Sequence, residues 1–193
     1  SGYLELVHRL DKETSGILIL AKNVETLRKM HDRLRRAGQE PGVSKSYQAL
    51  LAGRWRGGAR TLHHRLETVR GHGATKRSRV TSTGREACSI FHPVAVFQDH
   101  SLMRVELKTG RLHQIRAHAH AVGLPVAGDR VYGDALKNRR FREFGLQRQF
   151  LHAERICFLH PRTGKSVDVH SPLPRDLEAV LANLRARRID EAD

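Results

Sequence analysis

Asp11 is the residue of this sequence that most invites a chemical reading. It sits in HRLDKETSG, residues 8–16, which packs a histidine, an arginine and two acids ahead of the apolar run ILIL, residues 17–20. A carboxylate beside an arginine, just before what reads as a buried strand, has two explanations. It is a turn residue whose oxygen takes a nearby backbone N–H, or it is a reactive group held in place by the fold. On its own the stretch fits the turn better. Tyr47, in SYQALLA, is a second candidate; it shares a strand face with Ala49 and Leu51 by the two-residue alternation, where an aromatic is usually core or rim. The third is TGRLHQIRAHAH, residues 109–120, in which His113, Arg116 and His120 fall on one helical face opposite an apolar stripe. An arginine beside histidines on such a face is ordinarily solvated.

Several chemistries lack their signatures. Thirteen histidines are present, but HQIRAHAH has no HExxH pattern and no acid or cysteine at ligand spacing, so no metal site is expected. There is no P-loop, no GxGxxG and no GxSxG elbow. Cys88 and Cys157 are far apart and form no CxxC, which argues against a disulfide framework and a zinc ribbon and favours a reducing cytoplasm. No run of about 18 apolar residues suggests a membrane span, and the N-terminal residues resemble neither a signal nor a transit peptide.

The charge is informative. With 35 Lys and Arg against 20 Asp and Glu, the 193-residue chain carries a formal +15. Such an excess favours a polyanionic partner, most often nucleic acid.

These residues need elements to hold them. Leu4 to Val7 and Ile17 to Ala21 read as short strands flanking the HRLDKETSG turn. Asn23 can cap a helix from Val24 to Ala37, with Val24, Leu27, Met30 and Leu34 as its stripe and Gly38 as its end. Residues 46–52 read as a strand. The glycine-rich, basic stretch from Arg56 to Arg79 reads as a long hairpin or mobile loop. HPVAVF and SLMRVEL form a hairpin through residues 98–100. Leu112, Ile115, Ala119 and Val122 mark a helix ended by Gly123, and residues 137–149 form loop or helix. FLHAERICFLH and KSVDVHS read as strands. Leu177, Val180, Leu181 and Leu184 mark a final amphipathic helix. Strands outnumber helices and several are joined as hairpins, so the expected fold is one α+β domain on a largely antiparallel sheet.

Read together, these segments resemble one family. HRLDKETSGILILAKN is similar to the HRLDxxTSG motif of RluA-type pseudouridine synthases, KSYQALLAG to their tyrosine motif, and TGRLHQIRAHAHAVGLPVAGDRVYGD to their third motif. FLHAERICFLHP resembles the segment closing the pocket. The four occur in the family's order, and the charged insert after YGD favours the RluC branch. The resemblance implies a pseudouridine synthase-like sheet with flanking helices. It implies isomerisation of uridine to pseudouridine in RNA, with 23S ribosomal RNA the first substrate and tRNA the alternative, and with no cofactor or metal. Position by position it implies that Asp11 is the essential aspartate, Tyr47 the tyrosine on the target base and Arg116 the partner of the aspartate. Arg9 would fill the gap left by the flipped nucleotide, and Leu151 would line the pocket floor. His8, Thr14, Gly110, Arg111, His113 and Gln114, in the same motifs, would line the pocket or meet RNA. A non-catalytic RNA-binding module of the same fold is the rival. Relatives carry strands before HRLD and an upstream S4-type domain, so residues 1–193 are expected to be the catalytic part of a longer protein, monomeric and cytoplasmic.

Overall fold

The computed structural model describes residues 2–35, 43–70 and 76–190. Two short strands, β1 (Glu5–Leu6) and β3 (Leu20–Ala21), pair antiparallel, with Leu6 opposite Leu20. Between them the chain makes the HRLDKETSG loop and the two-residue β2 (Ser15–Gly16). The run ILIL is not a buried strand. Ile17 and Ile19 are half-buried, whereas Leu18 and Leu20 are exposed, because only every second side chain of an extended segment can face the core. Helix α1 (Val24–Arg35) follows, and Asn23 caps it by accepting from the Thr26 N–H at 2.8 Å. Its stripe packs through Met30, Leu27 and Leu34, while Val24 stays exposed. Residues 36–38, where its end was expected, lie outside the described residues.

The main sheet is built from β4 (Val43–Leu51), β5 (Arg60–Arg70), β6 (Lys76–Val80), β7 (Arg85–Val96), β8 (Ser101–Leu107), β9 (Leu151–Leu159) and β10 (Ser166–His170). Its spatial order is β10-β9-β4-β8-β7-β5-β6, antiparallel throughout, with β2 added in parallel to β9. The expected α+β architecture is therefore observed. Of the two readings of the glycine-rich stretch, the hairpin is the one observed: β5 and β6 pair antiparallel, with Leu66 opposite Val80. Leu62 and Leu66 of β5 face inward with the half-buried His64 between them, and that histidine hides the apolar alternation. Residues 71–75 at the turn lie outside the described residues.

Helices cover both faces of the sheet. On one, α2 (Gln114–Ala121) packs Ile115 and Ala119 against Ala49, Leu51, Phe91, Met103 and Val105. On the other, α3 (Ala135–Glu143) and α4 (Arg175–Asp190) pack Phe141, Leu177, Val180, Leu181 and Leu184 against Leu50 and Leu102. Residues 49, 50 and 51 thus alternate between two cores. That is why the whole end of β4 is apolar, as the central strand of a sheet covered on both sides should be.

Candidate active site

The HRLDKETSG loop is pinned at both ends. Val7 donates its N–H to the Ile19 carbonyl at 2.9 Å, and the Ile17 N–H reaches the Ala153 carbonyl at 3.0 Å. Ser15 and Gly16 pair with His152 and Ala153 of β9. Gly16 is required there: its φ is 114°, and a Cβ would overlap the Ala153 backbone. Arg148 secures the middle, donating to the Glu13 carbonyl at 2.9 Å and the Ser15 hydroxyl at 3.1 Å. Thr14 accepts from Gln149 at 2.7 Å. Within this frame Asp11 closes a turn with its backbone oxygen, which accepts from the Thr14 N–H at 2.9 Å. Its side chain is left for something else, so the Asx-turn explanation fails.

That something is Arg116. Its Nη1 donates to Asp11 Oδ2 at 2.9 Å. The arginine is only 5 % exposed, so the solvated helix face expected from the sequence is not there. Every residue from Gln114 to Ala119 of α2 is buried, because the polar side of the helix meets the loop after it and the Asp11 turn rather than solvent. Arg116 also donates through Nε and Nη2 to Asp129 at 2.7 and 2.9 Å, a two-point fork on a carboxylate with no exposed surface. Asp129 Oδ1 accepts further from the N–H groups of Val131 at 2.8 Å and Tyr132 at 3.0 Å. Burial alone would push the Asp129 pKa up; the Arg116 fork and the two N–H groups outweigh it and hold it below the usual value. Burial likewise opposes charge on Arg116, yet the two carboxylates raise its pKa above the ordinary value. Asp129 escaped the sequence reading because it lies 118 positions from Asp11 in a loop with no periodicity. The pairing of GD with Arg116 was the only available signal.

A cavity of about 280 Å³ opens on the Asp11–Arg116 pair. Small-molecule sites start near 300 Å³, so this one suits a single nucleotide. All eleven residues that the family motifs place in the pocket or against RNA line it. Tyr47 enters from β4, 9 % exposed. Burial, with the Asp11 charge adding, pushes its phenol up to about 12, so at neutral pH it presents an uncharged ring. Leu151 starts β9 opposite Ala49 and forms apolar floor. Arg9 is exposed on the cavity wall. His8 accepts from the Ile19 N–H at 3.3 Å, and burial, with Lys45 adding, lowers its pKa to about 4, so it is neutral. His113 begins α2 in the left-handed region (φ 51°), with Nε2 3.9 Å from Asp11 Oδ1. Burial lowers its pKa despite that carboxylate. Thr14 and Gly110 also line the wall.

Gln114 and Arg111 brace it. Gln114 accepts from the Arg111 N–H and the Thr109 hydroxyl, and donates to Cys88 and Ser89 of β7, fixing the TGR turn to the sheet. Arg111 Nε donates to the Glu86 carbonyl at 2.9 Å. The sequence reading missed Lys45, two residues before Tyr47 on β4 and also on the wall; burial lowers its pKa. Its spacing from Tyr47 was the available signal. His120, grouped with Arg116 in the sequence, turns away and bonds the Tyr132 carbonyl at 2.9 Å. Among the described residues no cluster of three or more His, Cys, Asp or Glu could hold a metal, and no helix is long and apolar enough to cross a membrane. A larger cavity of about 550 Å³ lies between the β7–β8 turn, α3 and α4, but its acid, Asp99, is engaged by His100 and Arg140.

An open-mouthed cavity holding one arginine-paired carboxylate, a neutral phenol ring and a cationic wall suits chemistry on a base drawn out of a nucleic acid. The sequence profile described as RNA pseudouridylate synthase matches residues 1–121. The chain belongs to that family. It is 36% identical over 186 residues to the ribosomal large subunit pseudouridine synthase C of Haemophilus ducreyi, covering 96% of this chain and 57% of that protein. It is 37% identical over 188 residues to the protein of the same name from Escherichia coli K12, covering 96% and 58%. The chain thus spans a little over half the length of these relatives. Among solved structures, human RNA pseudouridylate synthase domain containing 1 superposes with a TM-score of 0.74 at 26% identity, over 92% of this chain and 73% of that one.

Proposed function

We propose that this chain isomerises uridine to pseudouridine in large-subunit ribosomal RNA. The observation that carries the reading is the Asp11–Arg116 ion pair at the base of a nucleotide-sized cavity that also holds Tyr47. The reaction breaks the bond from N1 of uracil to the ribose, turns the base and rejoins it through C5, whose proton leaves. The freed base must not escape. A target in a helix must first be extruded, at a cost of a few kcal/mol. Arg9 on the cavity wall offsets part of that by stacking where the base was and by contacting phosphate. Against the Tyr47 ring the base gains roughly 1–3 kcal/mol of stacking. The charge-assisted bond from the Arg116 guanidinium fixes the direction of the Asp11 carboxylate. Asp11 then places a carboxylate oxygen, directed by Arg116, beside the ribose and base as the glycosidic bond is cut. The +15 charge supplies sequence-independent attraction to the phosphate backbone. The relatives' names favour large-subunit ribosomal RNA over tRNA. The test is chemical detection of pseudouridine after incubating the protein with a 23S transcript, a tRNA transcript, and the 23S transcript with EDTA. Pseudouridine in both 23S samples and none in the tRNA is expected. Salt-sensitive binding without pseudouridine would leave an RNA-binding module.

A further inference from the structure

Resting on that reading, we infer that Asp129 is a positioning residue for the isomerisation: it holds the Nε–Nη2 edge of Arg116 so that only Nη1 reaches Asp11. The geometry is specific. Arginine and carboxylate prefer a two-point fork. Asp129 takes that fork at 2.7 and 2.9 Å, and Asp11 receives a single bond at 2.9 Å to Oδ2. Asp11 Oδ1 accepts no hydrogen bond from a described residue and lies beside the cavity with His113 Nε2 3.9 Å away. Asp129 does not line the cavity and is wholly buried, so it acts through Arg116 and not on the substrate.

Its own position is over-determined. The Val131 and Tyr132 N–H groups hold its side chain, while its backbone oxygen accepts from Gly133 N–H at 3.1 Å and Asn138 Nδ2 at 2.8 Å. Gly133 has no room for a side chain, since a Cβ would overlap the Asp129 carbonyl. A second consequence is electrostatic. One guanidinium shared by two carboxylates leaves the trio with a net negative charge, so the cavity keeps an anionic oxygen that a private Arg116–Asp11 pair would neutralise. Without Asp129 the guanidinium is free to turn its fork onto Asp11, occupying both oxygens and rotating the carboxylate.

The test is single-turnover pseudouridine formation on the 23S transcript by wild type, Asp129→Asn, Arg116→Ala and the double variant. Misplacement of a reacting group by about 1 Å costs on the order of 100-fold. Asp129→Asn should lower the maximal rate by about 10- to 100-fold, with RNA affinity within about two-fold of wild type, as expected when only a transition-state interaction is lost. It should add no further loss in the Arg116→Ala background. Asp129→Ala supplies a second arm: formate, filling the vacated site, should restore the rate saturably. An unchanged rate in Asp129→Asn, a loss carried equally by affinity, an additive loss in the double variant, or folded Asp129→Ala that formate does not rescue would each overturn the inference. Wild-type protein that makes no pseudouridine would instead bring down the proposed function.

Discussion

Replacing Arg116 by alanine should cost about 3 kcal/mol of folding stability, and removing its buried partner as well should return part of that. Breaking one side of a buried pair typically costs 3–5 kcal/mol, because it leaves an uncompensated charge. Here Arg116 supplies two charge-assisted bonds to Asp129, which has no exposed surface, and one to Asp11. Asp129 would keep the N–H groups of Val131 and Tyr132, which places the loss at the lower end of that range. Arg116→Ala combined with Asp129→Asn removes the stranded charge, so the double variant should be more stable than the single by about 1 kcal/mol or more, since deleting both partners is milder than deleting one. Urea unfolding reads this through the single tryptophan, Trp55, which is buried and stacked on Phe91 at 5.7 Å. A wild-type midpoint for Arg116→Ala, or a double variant as unstable as the sum of its singles, would refute the reasoning that this pair is a buried, coupled unit.

Two further outcomes follow from the same geometry. Gly16→Ala forces a side chain into the Ala153 backbone at φ 114°; it should detach β2 from β9, shift the Asp11 turn, and cost about 1–3 kcal/mol together with most pseudouridine formation, as read by urea unfolding and product yield. His118 is wholly buried, neither ring nitrogen has a partner among the described residues, and its ring meets the edge of His64 at 5.1 Å. Burial, with His64 and His63 adding, lowers its pKa to about 4. The unfolded chain takes up this proton near pH 6.5 and the folded chain only near 4, so stability falls as pH drops through that window, by about 3 kcal/mol for this group. His118→Phe should remove its share of that slope, leaving the comparable share of His8 and that of His113, whose pKa values burial also lowers; an unchanged slope would contradict the assignment.

The sequence was most legible where chemistry and local pattern coincide. Asn23 as a cap, the stripe of α4 and the alternation of Tyr47, Ala49 and Leu51 could each be read from side-chain type and spacing. The site residues were legible through the family motifs, and all of them reach one cavity. What spacing could not give was burial. The polar side of α2 looks solvent-facing because periodicity says nothing about what packs against a helix; only the fold brings Asp129 and Tyr132 to Arg116. Over Arg56 to Arg79 the hairpin was one of two readings left open, because arginines that alternate outward and His64 at an inward position blur the apolar alternation of β5 and β6. Asp11 read as a turn residue because its backbone does make a turn, while its side chain acts 105 positions away.

The most direct measurement is pseudouridine yield on a 23S transcript with Asp11→Asn, beside RNA affinity measured on the same preparation. The substitution keeps the shape of the side chain and removes its charge. Loss of product with affinity within about two-fold of wild type is the outcome expected if that carboxylate does the chemistry and the basic surface does the binding. Pseudouridine formed by Asp11→Asn at the wild-type rate would contradict the account.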